Sequence, residues 1–326
     1  MALFLKTAKM KLLDFLKETG IAYEQNVPLS KKTWIKTGGI CGCWITPINV
    51  EQLAEVCRYL QTSGIKFDIV GQTSNIFFHS TYNPQVLVST VRTNNYEIED
   101  DIAICDCGVN VMKLAKDMLK KGYAGFYGLI GLPGTVASAA VNNASCFSCS
   151  ISSMLISADV LMSDGTVKIF KQKDFGYEKR SSKFKRREIK GIILSLRLKL
   201  SKVENIEEEY KKSEYTKENR KIHQEGYANN LGSIYANRKI KHNVRNILSS
   251  FVVKAIGIFN ISNLTLARKK LLLLLYGYRD LDKYISNKNI NTFVWRDKDA
   301  EEKFYRYKEF MGKVYDDLAI EIEERI

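Results

Sequence analysis

At 326 residues, with 45% hydrophobic and 11% aromatic residues and only 4 Pro, the chain has the composition of a globular protein of two or three domains, which excludes a disordered or fibrous one. Fifty Lys and Arg against 36 Asp and Glu leave a formal charge of +14, a bias toward nucleic acid, anionic membranes or phosphorylated small molecules. The lysines are scattered, with modest clusters at Lys183–Arg187 and Lys239–Lys241 and no base-reading motif, so nucleic acid is set aside as a partner.

The seven cysteines fall as Cys41/Cys43, Cys57, Cys105/Cys107 and Cys146/Cys149. The two C-x-C pairs sit in strand-like text, where alternate residues share a face, and read as small buried side chains. No histidine supports pooling them into a zinc or iron–sulfur site, so no metal is expected and reduced thiols are the default. His79 and His223 belong to no pattern and are assigned no role. Met1 to Met10 lacks the apolar core of a signal peptide. The most apolar later stretches, Phe251–Ile261 and Leu271–Leu275, are too short to span a bilayer. A soluble, cytoplasmic protein without stable membrane insertion is expected, its oligomeric state unspecified.

In chain order, residues 4–19 carry apolar positions at helical spacing, and Ile21 to Trp44 turns β-like around Thr37-Gly38-Gly39. An amphipathic helix runs from Glu51 to Leu60, begun near Asn49 and closed by Ser63-Gly64. A short strand, Phe67 to Val70, leads at once into Gly71-Gln72-Thr73-Ser74-Asn75, which reads either as a ligand loop or as a turn with Asn in a left-handed position. Gln85 to Cys107 is strand-rich, and Val111 to Lys120 is a helix ended by Gly122.

The most distinctive stretch follows, from Gly125 to Ser145. In Gly131-Leu132-Pro133-Gly134-Thr135 the glycines allow close approach of a ligand to main-chain N–H groups, which hold phosphate oxygens without side-chain charge. A tight turn before a closely packed helix is the alternative. Leu155–Met162, the Asp164-Gly165 turn and Val167–Phe170 form a hairpin, and Ile192 to Leu200 is a further strand. Charged Ser201 to Arg220 reads as an interdomain linker. Beyond it, Gly232-Ser233-Ile234-Tyr235-Ala236-Asn237 opens a second module with a helical, apolar stretch from 240 to 285. A strand at Thr292 to Val294, a helix from Lys298 to Val314 and an alternating terminal strand, Ile320 to Ile326, complete it.

These pieces, in this order, resemble the UDP-N-acetylenolpyruvoylglucosamine reductase (UDP-N-acetylmuramate dehydrogenase) family across nearly the whole chain. Thr33 to Gly39 resembles its T-x-x-x-G-G segment, Gly71 to Asn75 its G-x-G-S-N loop, and Gly131 to Thr135 through Asn143-Ala144 its G-I-P-G-T…N-A flavin loop. Arg180-Ser181-Ser182-Lys183-Phe184 resembles R-x-S-x-F, Gly232 to Asn237 resembles G-S-x-F-x-N, Ile285-Ser286 to Val294 resembles S-x-K-H-x-N-F, and Ile322-Glu323 the terminal L-E. The departures are Thr73 for Gly, Ala137-Ser138 for Gly-Gly, Ser145 for Gly, Ala236 for Lys, Arg238 for Pro and Asn289 for His. Two extra residues separate Tyr177 from the Arg motif, so the family's Tyr-Arg pair reads Lys179-Arg180, and an extra stretch spans about Lys239 to Leu264. Ala236, Arg238, Asn289 and the extra stretch fall in the substrate module.

The resemblance implies an α+β fold: a two-subdomain FAD-binding module of the PCMH/vanillyl-alcohol-oxidase-like type, 1–75 and 76–200, and a C-terminal α+β substrate-binding domain, 201–326. It implies FAD as cofactor, NADPH as hydride donor and a UDP-sugar as substrate, with reduction of an enolpyruvyl ether in peptidoglycan precursor synthesis. FAD is expected to contact Thr37, Gly38, Gly39, Gly71, Gln72, Thr73, Ser74, Asn75, Gly131, Pro133, Gly134, Thr135, Ser138, Asn143, Ala144 and Ile192. Tyr235 and Asn237 are expected at the substrate. Arg180 would grip the substrate carboxylate, Ser233 would act as general acid, and Glu323 would orient the site or polarise the carboxylate through a shared proton. As bare sequence, Ser233 is also a turn or cap residue, Arg180 a solvated charge and Glu323 an exposed face. With no G-x-G-x-x-G after a strand, no Rossmann domain is expected, and NADPH is taken to use the substrate cleft in turn. Two other readings stand beside this one: a reductase of the same class acting on another nucleotide-linked sugar, and a non-catalytic FAD-binding relative.

Overall fold

The computed structural model describes residues 2–226, 229–258 and 263–326. In chain order the helices are α1 (Ala2–Glu18), α2 (Val50–Thr62), α3 (Val111–Lys120), α4 (Val136–Val141), α5 (Ile151–Met154), α6 (Ile206–His223), α7 (Val244–Ile258), α8 (Leu264–Tyr276) and α9 (Ala300–Val314). The strands are β1 (Ala22–Pro28), β2 (Ile40–Thr46), β3 (Asp68–Val70), β4 (Ile76–Phe78), β5 (Val86–Ser89), β6 (Tyr96–Glu99), β7 (Ile102–Asp106), β8 (Ser145–Cys146), β9 (Cys149–Ser150), β10 (Leu155–Met162), β11 (Val167–Lys171), β12 (Gly191–Lys199), β13 (Tyr235–Ile240), β14 (Tyr315–Ile320) and β15 (Glu323–Arg325). They form two compact units. The first comprises Met1–Leu29, Ile40–Thr73 and Asn83–Lys217, the second Ser30–Gly39, Ser74–Tyr82 and Glu218–Ile326.

Unit 1 is built on two sheets. In the first, ordered β1-β2-β5-β3, strands β2, β5 and β3 run parallel, which requires a crossover, and α2 makes it between β2 and β3. Helix α2 starts where Asn49 Oδ1 accepts from the Gln52 N–H at 2.9 Å, and it buries Leu53, Val56, Cys57 and Leu60 along one stripe. The second sheet, ordered β11-β10-β12-β7-β6, is antiparallel throughout. Its β10–β11 hairpin turns at Gly165, whose φ of +80° suits glycine. Six of the seven cysteines are buried in this unit, and burial alone pushes the Cys57 thiol up to about 12.

Unit 2 pairs β13 with β14 antiparallel and β15 with β4 parallel. Its core is aromatic, with Phe293 in ring contact with Trp295, Phe304 and Tyr307, and Phe77 in contact with Trp295 and Phe304.

Two expectations are corrected here and a third is refined. Residues 201–220, expected as an interdomain linker, are helical over most of their length in α6, and the boundary between the two units falls within that helix, after Lys217. Its inward residues, Glu209, Ser213 and Thr216, are polar and leave no apolar stripe to read. Acidic residues in its first turn, basic ones in its last and the Glu209–Lys212 and Glu214–Lys217 pairs hold it instead. The terminal strand breaks after Ile320, where the chain leaves β13 and resumes as β15 against β4. At 292–294 there are only single bridges, Phe293 with Ile285 and Val294 with Asn230. Among the described residues no helix is long and apolar enough to cross a membrane, and no group of three or more His, Cys, Asp or Glu could hold a metal ion.

Candidate active site

In unit 1 the two glycine loops meet. Gly134, at φ +122°, turns the chain into Thr135, which caps α4: its Oγ1 accepts from the Ser138 N–H at 3.3 Å, while Ser138 Oγ accepts from the Thr135 N–H at 3.0 Å. Backbone bonds from Val111 to Gly134 O and from Val136 to Val109 O fix this loop before α3. Gln72 Oε1 accepts from the Gly134 N–H at 2.9 Å. A Cβ on Gly71 would lie 3.0 Å from Thr135 Oγ1 and 3.1 Å from its Cγ2, so the loops pack at glycine distance. Pro133 is half-buried, and Gly131 is buried. Thr73, where the family has Gly, keeps a glycine-like φ of +55°, a conformation that costs a residue with a Cβ roughly 1–2 kcal/mol.

The turn carrying Arg180 hangs from the far end of α4. Glu178 and Ser181 exchange backbone bonds of 3.1 Å, which leaves Lys179 and Arg180 at the tip, Arg180 with φ +56°. Asn143 Nδ2 donates to Glu178 O at 2.7 Å, and Ser182 Oγ donates to Val141 O at 2.6 Å. Asn143, itself at φ +45°, also accepts from Ser152 Oγ. The structure therefore brings Asn143 together with the Arg180 turn, while the Ala144 N–H donates to Ala139 O at the end of α4. Beside it, the Tyr177 hydroxyl is buried with no partner among the described residues, and burial raises its pKa. Ile192 lies on β12 opposite Leu161, in the sheet and not in the loops.

Unit 2 holds the other expected residues. Thr33 Oγ1 donates to Thr37 O and accepts from the Thr37 N–H, closing the turn before Gly38, at φ +111°, and Gly39. Thr37 Oγ1 is buried with no partner among the described residues. Three segments distant in sequence are knitted together: Asn75 O accepts from the Glu323 N–H at 2.9 Å, Asn75 Nδ2 donates to Glu321 O, and the Glu321 N–H donates to Ile234 O at 2.8 Å. Ser74-Asn75, Ser233-Ile234 and Glu321 to Glu323 thus share one patch of backbone. Ser233 is half-buried, Glu323 pairs with Arg325, and Asn237 is exposed on β13. Burial, with Glu324 nearby, pushes the Tyr235 phenol up to about 12, so it stays a neutral donor near pH 7.

Two groups escaped sequence reasoning. Asn291 clamps the Ser233 segment: its backbone O accepts from Ile234, its Oδ1 from the Tyr235 N–H at 3.1 Å, and its Nδ2 donates to Tyr235 O at 2.8 Å. The S-x-K-H-x-N-F resemblance held its signal. His79 is buried, with ring nitrogens 3.3 Å from Glu324 Oε2 and 2.5 Å from the Tyr305 hydroxyl, and nothing around it in the sequence marks it.

Comparison with known proteins adds four findings. Residues 42–171 match the FAD_binding_4 family, an FAD binding domain. The chain is 26% identical over 213 residues to the UDP-N-acetylenolpyruvoylglucosamine reductase of Caldicellulosiruptor saccharolyticus, a match covering 65% of this chain and 68% of that protein. It is 28% identical over 177 residues to the enzyme of the same name from a Nostoc species, covering 54% of each. The chain is a diverged relative of these reductases. The crystal structure of the UDP-N-acetylenolpyruvylglucosamine reductase from Thermus caldophilus superposes with a TM-score of 0.64 at 17% identity, covering 94% of this chain and 99% of that one. The fold is therefore the expected α+β, FAD-binding one. The sequence matches span about half to two-thirds of these relatives' length.

The residues present fit FAD. In unit 1 the fit rests on glycine at 71, where a Cβ would meet the Thr135 side chain at 3.0–3.1 Å, and in unit 2 on the buried Thr37 Oγ1, a hydrogen-bonding group without a partner among the described residues.

Proposed function

We propose that this chain catalyses the FAD-dependent, NADPH-driven reduction of the enolpyruvyl group of UDP-N-acetylglucosamine enolpyruvate to UDP-N-acetylmuramate, in the cytoplasm, for peptidoglycan precursor synthesis. The observation that carries the reading is the joining of Asn75, Ile234 and Glu321–Glu323 by direct hydrogen bonds, which sets Ser233 and Glu323 at one patch of unit 2. In this reading residues 1–75 and 76–200 serve FAD and 201–326 the substrate.

A bound FAD would supply the chemistry of hydride transfer between the nicotinamide and the outer alkene carbon. The residues proposed to hold it are Thr37 to Gly39, Gly71 to Asn75, Gly131, Pro133 to Thr135, Ser138, Asn143, Ala144 and Ile192. Hydride addition throws negative charge into the substrate carboxylate, and Arg180 is proposed to meet it with a planar two-pronged guanidinium. The Asn143–Glu178 and Ser182–Val141 bonds stiffen the turn that aims this side chain. Ser233 supplies the proton that quenches the enol, its backbone held by Asn291 through Ile234 and Tyr235. Glu323 orients the carboxylate, and Tyr235 and Asn237 position the sugar nucleotide.

Ser233→Ala separates the two half-reactions. Reduction of the flavin by NADPH needs no proton from a serine and keeps its rate. Anaerobic reoxidation by the enolpyruvyl substrate slows about a hundred- to ten-thousand-fold, the usual contribution of a general acid. Stopped-flow absorbance on each half decides: equal slowing of both, or no slowing of the second, removes Ser233 from the chemistry. A second reading, a different nucleotide-linked sugar as substrate, is favoured by Ala236 and Arg238 flanking Asn237 on β13. A panel of UDP-enolpyruvyl sugars discriminates it.

A further inference from the structure

Between Glu225 and Asp280 the chain contains nine Lys or Arg and not one Asp or Glu, so much of the net charge of +14 is gathered in one sixth of the sequence. Helix α7 lies within that stretch and is amphipathic in the inverted sense. Its buried residues are the polar Asn246 and Ser249. Its exposed residues include Val244 (80% exposed), Ile247 (61%), Leu248 (45%), Phe251 (71%) and Ile258 (82%), spaced three, four and seven apart, one apolar stripe facing solvent. Asn246 is not misplaced: its Nδ2 donates to Lys241 O and Val314 O, and its Oδ1 accepts from the Tyr276 hydroxyl, so the polar face is the one the fold holds.

Basic groups border the stripe. Lys239, Lys241, His242 and Lys254 line an open groove of about 620 Å³ together with Ile247 and Phe251. The acidic group found in contact there is Asp316, 3.5 Å from Lys241 Nζ; Arg245 lies over the Tyr276 ring, an arrangement that leaves its charge uncancelled.

We infer that α7 is an interfacial helix that docks this protein on an anionic lipid surface, Phe251 and its apolar neighbours entering the headgroup boundary while the flanking lysines meet lipid phosphates. Exposed apolar side chains within a predominantly cationic surround are what such a surface selects. A second copy of the chain is a poorer occupant, because a two-fold contact would set this cationic patch against itself. Nucleic acid would satisfy the lysines and leave the aliphatic stripe wet.

The test is co-sedimentation of the purified, FAD-loaded full chain with vesicles of phosphatidylcholine and phosphatidylglycerol at two to one, against phosphatidylcholine alone, at low and high salt. Binding is expected only to the anionic vesicles, and it weakens as salt shortens the screening length from about 10 Å at 0.1 M to about 3 Å at 1 M. Phe251→Asp should lower the partition about ten-fold or more, the order expected for exchanging a buried aromatic for a charge, with flavin content unchanged. Lys239→Glu with Lys254→Glu should lower it and flatten the salt dependence. Should Phe251→Asp misfold, Phe251→Trp serves instead, and its added emission should shift to the blue with anionic vesicles only. No binding at low salt, equal binding to neutral vesicles, undiminished binding by folded Phe251→Asp, or no blue shift overturns the proposal. So does a self-association, or a nucleic-acid affinity without vesicle binding, that Phe251→Asp abolishes.

Discussion

Removing Glu323 to Ile326 tests both the architecture of unit 2 and the role assigned to Glu323, and the structure separates the two effects. Strand β15 is not a frayed end. It runs parallel to β4, with Glu323 opposite Ile76 and Arg325 opposite Phe78. The deletion removes the Glu323 N–H to Asn75 O and His79 N–H to Arg325 O bonds, both 2.9 Å, together worth about 1–3 kcal/mol at 0.5–1.5 each. It also removes the Glu324 carboxylate, which lies 3.0 Å from Lys308 Nζ and 3.3 Å from the buried His79 ring; its loss costs about 1–2 kcal/mol more, with His79 keeping its contact to the Tyr305 hydroxyl. The sum, about 2–5 kcal/mol, lowers Tm on the order of 5–15 °C. Glu323→Gln keeps the strand and loses only a partly exposed pair with Arg325, worth under about 1 kcal/mol. Differential scanning calorimetry, flavin content and turnover are read on both variants. The expected pattern is a lowered Tm for the truncation alone, flavin content preserved in both, and turnover reduced at least about a hundred-fold in both. Full turnover by Glu323→Gln would remove Glu323 from the site. An unshifted Tm in the truncated chain would refute the β15–β4 pairing.

Thr135→Ala removes the Oγ1 that caps α4 at the Ser138 N–H, which costs about 1 kcal/mol, while the bond from its backbone N–H to Ser138 Oγ remains; it weakens FAD retention in a fluorescence titration, while Thr135→Ser keeps cap and retention, and equal loss in the serine variant would contradict the capping role. Thiol titration at pH 8 should find one fast group, the half-exposed Cys146, with the other six reacting only on unfolding. Burial pushes Cys57 and Cys105 up to about 12, so their thiolate fraction at that pH is about one in ten thousand, and a burst of two or more thiols would contradict the packing.

What the sequence disclosed follows from what was locally encoded. Asn49 and Asn110 mark the starts of α2 and α3 because each side chain caps the helix it precedes. Asp164-Gly165 marks a hairpin because the turn needs glycine at positive φ. The order of the glycine and Arg, Ser and Glu motifs carried the kinship with the reductases, since each motif survives as a short string. Helix α6 was missed because its buried face is Glu209, Ser213 and Thr216, which no apolar period reveals. The partner of β15 was missed because parallel pairing with β4 joins the end of the chain to a segment near its first quarter, and no local signal specifies it. Asn291 could be read as a motif residue, but its clamp on Ile234 and Tyr235 exists only in three dimensions.

The central claim is tested most directly by the unmodified protein in a single anaerobic cycle. The purified chain should be yellow with non-covalently held FAD, since no His or Cys sits at an attachment motif, and NADPH should bleach it. Adding UDP-N-acetylglucosamine enolpyruvate in the absence of oxygen should restore the oxidised spectrum with one product formed per flavin. A colourless protein that takes up no FAD, or a reduced flavin that this substrate leaves bleached, would contradict the account.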